Sequence, residues 1–124
     1  MTPKFRAWTE EGEVMYYDVY PFKDDTLLLS YDEIAFDEVP ASDFILMQST
    51  RLKDIHGKEI YEGDIVKFIL TDGFSYVTLE DGVVTYELGA FYVVNDLAEY
   101  LISDINTNKV EVIGNEFEVE VRMK

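Results

Sequence analysis

One imidazole, His56, stands among twenty-six carboxylates in a chain without cysteine. A single His and no thiolate leave no Cys–His or multi-His metal set within one chain, and no thiolate nucleophile. A Ser–His–Asp triad would have to be built on His56, and no nucleophile motif accompanies it. His56 lies in Asp54-Ile55-His56-Gly57-Lys58, a polar turn where a solvent-exposed side chain is expected, although a ring titrating near neutrality would also suit a general base or a switch. Paired carboxylates can trade protons or hold Mg²⁺ or Ca²⁺. The adjacent pairs Asp24-Asp25 and Asp32-Glu33 read instead as solvated loops, and no loop has the Asp-x-Asp-x-Asp-Gly spacing of a calcium site. Neither Gly-x-x-x-x-Gly-Lys-Ser/Thr nor Gly-x-Gly-x-x-Gly occurs, so no phosphate cradle is expected. No catalytic residue, metal ligand or cofactor is assigned, and the expected class is non-enzymatic.

The binding chemistry is more open. Arg51, Lys53, Lys58 and Lys67 form a local basic island that could take phosphate or RNA on one unpaired face beside exposed aromatics. Asp54, Glu59, Glu62 and Asp64 interleave with them, and internal pairing is the favoured reading. The net charge of −16 argues the same way. It repels nucleic acid phosphates and acidic membranes, favours solubility, and would suit a basic protein partner or imitation of DNA. Nine Tyr, eight Phe and one Trp are available for packing or contact, with Tyr16, Tyr17 and Tyr20 crowded together. Most are expected between strands. A surplus on one exposed face would mark a partner or self-association surface.

The elements that would position these groups are mostly strands. Residues 4–20 read as an N-terminal hairpin, with strands at Lys4–Trp8 and Val14–Tyr20 and a turn at Glu11-Gly12. Residues 21–43 read as an acidic excursion with one or two short strands. The apolar run Phe44–Met47 reads as a strand buried on both faces. From Asp64 onward a meander is expected: Ile65–Leu70, a turn at Asp72-Gly73, Tyr76–Leu79, a turn at Asp81-Gly82, Val83–Leu88, then Phe91–Val94. Strands at such short spacing argue a small SH3-like or related antiparallel barrel over residues 58–94. One short helix is expected over Leu97, Tyr100, Leu101 and Ile105, capped by Asn95 or Asp96. A turn at 106–108 and a strand with one acidic face, running from Val110 through Val121, would close the chain. The fold class is mainly β, in a single domain over 1–124. The N-terminus reaches charge at Lys4 and does not read as a signal peptide. No apolar run approaches the ~20 residues of a membrane span.

Three stretches resemble the YopX-like family of phage and prophage proteins. They are Lys4-Phe5-Arg6-Ala7-Trp8; Leu46 to Asp54 with Gly57-Lys58-Glu59-Ile60-Tyr61-Glu62-Gly63-Asp64-Ile65-Val66; and Val112-Ile113-Gly114-Asn115-Glu116-Phe117-Glu118. The family usually has Gly where Arg51 sits. The resemblance implies a β-rich protein of phage or prophage origin in the cytoplasm of a bacterial host, with no established biochemical role. Trp8, Leu52, Asp54, Gly57, Tyr61, Gly63, Asp64, Gly114 and Asn115 are its signature, and they read as residues that specify the fold. The expected function is an accessory protein acting through protein contacts, self-association into an oligomer among them; an acidic DNA mimic or inhibitor binding a basic host protein and a nucleic-acid-binding barrel are the alternatives.

Overall fold

The computed structural model describes residues 3–32, 34–71, 77–105 and 109–118. The chain divides into two compact units, Met1–Ser49 and Thr50–Lys124. The strand pairs whose register is described are antiparallel.

In the first unit β1 (Phe5–Thr9) and β2 (Val14–Pro21) form the expected hairpin. Its turn carries Gly12 and Glu13 at positive φ, with the Glu13 N–H donating to Glu10 O. A bulge between Phe5 and Ala7 shifts the register, so Tyr16 and Val19 both reach the core face. β3 (Thr26–Leu29) and β4 (Asp37–Pro40) extend the sheet on one side and β5 (Ile45–Lys53) on the other, in the order β4-β3-β2-β1-β5. The edge strand β4, Asp-Glu-Val-Pro, is short, acidic and ends in Pro, features that discourage further pairing. Ala7, Val19, Leu27 and Leu29 are buried together, with Phe44 and Leu46 packed against them. β5 is longer than the apolar run predicts and is not buried on both faces: Ile45 is exposed.

β5 continues into the second unit, where β6 (Glu59–Tyr61) follows it in the sheet order. Here the main sheet runs β10-β9-β8-β7-β11. Its strands are β7 (Asp64–Thr71), β8 (Val77–Glu87), β9 (Ala90–Val94), β10 (Glu99–Leu101) and β11 (Val110–Asn115). Among the described residues this sheet has two ends, and no closed barrel is seen over 58–94. Ile60, Val66, Phe68, Val84, Val93, Ile102, Ile105 and Val110 form the core. Removing each such side chain from water contributes about 1.5–3 kcal/mol before entropy is counted.

Two expectations fail in this unit. Asp81-Gly82 is no turn: β8 runs straight through it, with Lys67 opposite Asp81 and Val66 opposite Gly82. The turn comes later, at Leu88-Gly89, where both residues have the positive φ that a two-residue hairpin loop requires. The helix expected after Asn95 is also absent. The Asn95 side chain accepts N–H bonds from Leu97 and Ala98, closing a tight turn, and Tyr100 and Leu101 then pair with Val93 and Tyr92. A helix of so few residues gains little beyond its costly nucleus, whereas pairing satisfies the backbone against β9 at once. Among the described residues an α-helical turn lies at 116–118, where a strand was expected, and 3-10 turns lie at Ala41–Asp43 and Ile102–Asp104. The expected turns at Asp72-Gly73 and 106–108, and the chain beyond 118, lie outside the described residues. Among the described residues no helix is long and apolar enough to cross a membrane.

Arg51 lies within β5 at φ 64°. A left-handed residue inside a strand marks a bulge of the kind usually built on Gly. Thr50 holds it from the neighbouring position, its hydroxyl donating to Ile60 O at 2.7 Å and accepting the Leu52 N–H. The left-handed conformation costs an L-residue roughly 1–2 kcal/mol, and Gly gives back part of that in unfolded-state entropy. Arg51→Gly should therefore leave thermal stability unchanged or raise it slightly. A clear loss in a melting curve would show that the Arg51 side chain supports the fold.

Candidate functional site

The chain's titratable cluster forms where the 54–58 turn meets β11. Asp54 is almost fully buried. Its Oδ1 accepts the N–H groups of His56 and Lys58, and its Oδ2 that of Val112, each at 2.9 Å. Burial pushes this carboxyl up, but the N–H groups of Val112, Lys58 and His56 and the charge of His56 outweigh it. The net result is a carboxyl below its ordinary range. Gly57, at φ 80°, closes the turn by donating its N–H to Asp54 O. The Ile55 N–H donates to Val110 O, so two strong links hold this turn to a strand more than fifty residues away.

The turn presents His56. Its side chain is 65% exposed, and Nε2 donates to Glu111 Oε2 at 2.9 Å. Lys67 Nζ lies 3.3 Å from the other oxygen of Glu111. The His56 bond, then the Lys67 bond, hold the Glu111 carboxyl below its usual range. Ile55, Phe68, Ile69 and Lys109 complete a shallow pocket of about 250 Å³. The carboxylate is shared between the His56 ring and the Lys67 ammonium. Among the described residues no group of His, Asp and Glu has the arrangement of a metal site.

The four residues of the basic island are spread along the chain's elements, with Arg51 and Lys53 in β5, Lys58 in the 54–58 turn and Lys67 in β7. Lys67 pairs with Glu111 rather than with Glu62 or Asp64, and no ion pair involves Lys53 or Lys58 among the described residues. Asp54 and Asp64 are occupied by backbone: Asp64 Oδ2 accepts the Tyr61 N–H at 2.7 Å. Arg51, Lys53, Lys58 and Lys67 all have exposed positions.

Signature residues converge at a second place. Tyr61 and Asp64 are buried and bracket a turn in which Gly63 has φ 89°. Gly63 donates to Val84 O and accepts the Glu116 N–H. Asp64 pairs with Asn115 across the β7–β11 ladder, where a bulge shifts the register between Val112 and Gly114. Asn115 Oδ1 then accepts the N–H groups of Phe117 and Glu118, capping the helical turn. Leu52 packs against the core of this unit, and Trp8 is buried in β1. Each of these residues holds backbone or fills a core, and Trp8 also lines an open groove of about 380 Å³ with Glu10, Glu11 and Asp43.

A different surface, in the first unit, is the larger exposed feature. Six aromatic residues are exposed among the described residues, and five of them, Tyr17, Tyr20, Phe22, Tyr31 and Phe36, lie within a twenty-residue stretch; Tyr86 is the sixth. Lys4, Tyr16, Tyr17, Asp18, Tyr20 and Tyr31 are among the residues that line one groove of about 390 Å³. Tyr31 meets the Tyr16 ring edge-on at 5.4 Å, and Phe36 lies 5.8 Å from Tyr20. Asp32 Oδ1 shapes the loop that carries Tyr31 and Phe36 by accepting the N–H groups of Ile34 and Ala35, which hold its carboxyl below the usual range. The crowding of Tyr16, Tyr17 and Tyr20 signals aromatic density in the sequence. Which of them stay outside is decided by the β1–β2 bulge, which periodicity does not reveal.

Among curated proteins, none matches this chain. The crystal structure of a protein from Enterococcus faecalis is similar, with a TM-score of 0.68 and 24% sequence identity over 100% of this chain and 99% of that one, a likeness of fold. The family model of the YopX protein matches residues 4–124, which hold the Asp54 turn, the Gly63-Asp64 turn and the Asn115 cap, and the chain belongs to that family.

Proposed function

We propose that this YopX-family chain is a non-enzymatic accessory protein of phage or prophage origin, working in the cytoplasm of a bacterial host through protein contacts, with the aromatic surface of the first unit as its contact site. The concentration of five exposed rings in residues 17–36 carries this reading. Exposed aromatic clusters are costly to leave in water, and Tyr and Trp dominate the energetic centres of protein interfaces. The His56–Glu111–Lys67 cluster supports the non-enzymatic part: both oxygens of its carboxylate are engaged, one by the His56 ring and one by Lys67, and it is open to solvent, which suits structural pairing better than proton transfer.

A photo-crosslinking residue placed at Tyr20 tests the assignment in bacterial lysate, with the same residue at Leu88 as control; Leu88 is 98% exposed in the second unit. A discrete adduct from position 20 and none from position 88 is the expected result. An adduct at twice the chain mass would identify a second copy as the partner. Equal adducts from both positions, or none from position 20, would refute the contact site.

A further inference from the structure

The contact surface itself indicates the chemistry of its occupant. Residues 17–38 contain seven acids and one base, Lys23. Lys23 Nζ lies 5.6 Å from the centre of the Phe22 ring and 3.6 Å from Glu38 Oε2. One ammonium group is thus shared between a ring face and a carboxylate, both on the surface. The negative face of an aromatic ring attracts cations, and a neighbouring carboxylate adds charge to the same spot. The groove also joins rings to a carboxylate, being lined by Tyr17, Tyr20, Tyr31 and Asp18, with Lys4 as its one base.

We propose that this surface docks a basic segment of a partner protein, with Arg or Lys heads between Tyr rings and carboxylates and their aliphatic stems lying on the rings. The inference rests on the contact-surface reading above and adds the partner's charge. The complementarity is one of sign: six acids among the described residues of 17–38, against Lys23 and the groove's Lys4, oppose an acidic partner or a nucleic acid, and the rings give a basic segment more than diffuse attraction. Lys and Arg stems cover apolar surface while their heads stay near charge, which matches rings interleaved with carboxylates.

The test is an NMR titration of the full chain with three short synthetic peptides alternating Arg and Leu, Ser and Leu, or Glu and Leu. The Arg–Leu peptide should shift resonances of Tyr17, Tyr20 and Tyr31. Raising salt from about 0.05 M to about 0.5 M, which cuts the screening length several-fold, should weaken it roughly tenfold. Tyr20→Ala and Asp18→Asn should each weaken it about threefold or more, and Tyr20→Phe, which keeps the ring, should not. The double variant Asp96→Asn/Glu99→Gln removes two charges from the second unit and should leave binding unchanged. Shifts scattered over both units, or full binding by Tyr20→Ala, would reduce the effect to general attraction by an acidic chain and overturn the proposal. Equal, salt-independent binding of the Ser–Leu peptide at the same tyrosines would keep the contact surface and overturn the basic partner. No binding of any peptide, together with a self-adduct from position 20, would make the surface an interface between copies and overturn it as well.

Discussion

Asp54→Ala should lower the thermal midpoint by about 10 °C or more, because hydrogen bonds to a charged acceptor contribute roughly 1.5–3 kcal/mol each and one carboxylate serves three. The three donors are the N–H groups of His56, Lys58 and Val112. Not all of that sum is lost, since the turn donors can relax toward water once the side chain is gone. The Val112 N–H has less freedom, being held in β11 by the Glu111 and Gly114 pairings on either side of it. Asp54→Asn separates the contributions. Its carbonyl oxygen can still serve His56 and Lys58, but its NH₂ would face the Val112 N–H, donor against donor. It should therefore cost about half as much as the Ala variant, on the same per-bond scale. Equal melting of Asp54→Ala and the unmodified chain would mean that the turn and β11 are held together by something other than this carboxylate.

The same carboxylate gives a pH dependence with a definite sign. Its folded-state value lies below the ordinary 3.8, because the N–H groups and His56 outweigh burial. A depressed carboxyl contributes stability that is complete above its unfolded value and is lost as pH falls through the folded one. The stability difference between the unmodified chain and Asp54→Asn should thus be constant through neutral pH and shrink below about pH 4, near the ordinary aspartate value. Urea unfolding of both proteins at several pH values measures it, and a difference that grows in acid would reverse the assignment.

What the sequence disclosed follows physical range. The N-terminal hairpin was legible because its alternation and Gly12 act over a few residues. The Asp54 and Gly63-Asp64 turns were legible as punctuation, since Asp and Gly shape the backbone locally. Their far partners were not: Val112, Glu111 and Glu116 meet these turns only after the chain has crossed the sheet. The helix expected after Asn95 failed because helical spacing of Leu97, Tyr100 and Leu101 is weaker than the open edge of β9, which pairs Tyr100 and Leu101. Lys67 of the basic island reaches Glu111 rather than its sequence neighbours Asp54 and Asp64, whose carboxylates already accept backbone donors. The exposed aromatic surface was visible as abundance only; a bulge at β1 turns Tyr16 inward and leaves Tyr17 outside.

Gly82→Ala should destabilise the chain by about 2–3 kcal/mol, the range of an overpacked interior site. Asp81-Gly82 looks like a hairpin turn, and at a turn with positive φ an added Cβ would strain the backbone of Gly82 itself. Gly82 is instead mid-strand in β8 and does not have positive φ, so Ala fits its own backbone and on entropy alone would stabilise slightly. The obstacle is the neighbouring strand. A Cβ at Gly82 would lie 2.7 Å from Val94 O and 2.8 Å from Val93 Cγ1. The second contact is a side-chain tip that can rotate or be removed; the first is backbone, fixed by the pairing of Val83 with Val94. The double variant Gly82→Ala/Val93→Ala therefore separates the two. If backbone approach dominates, removing the Val93 methyls will not rescue Gly82→Ala, and the double variant will be less stable than Val93→Ala alone by nearly the full single-site cost. Complete rescue would place the clash in the side chain. A stabilising Gly82→Ala would mean that β9 does not approach β8 this closely.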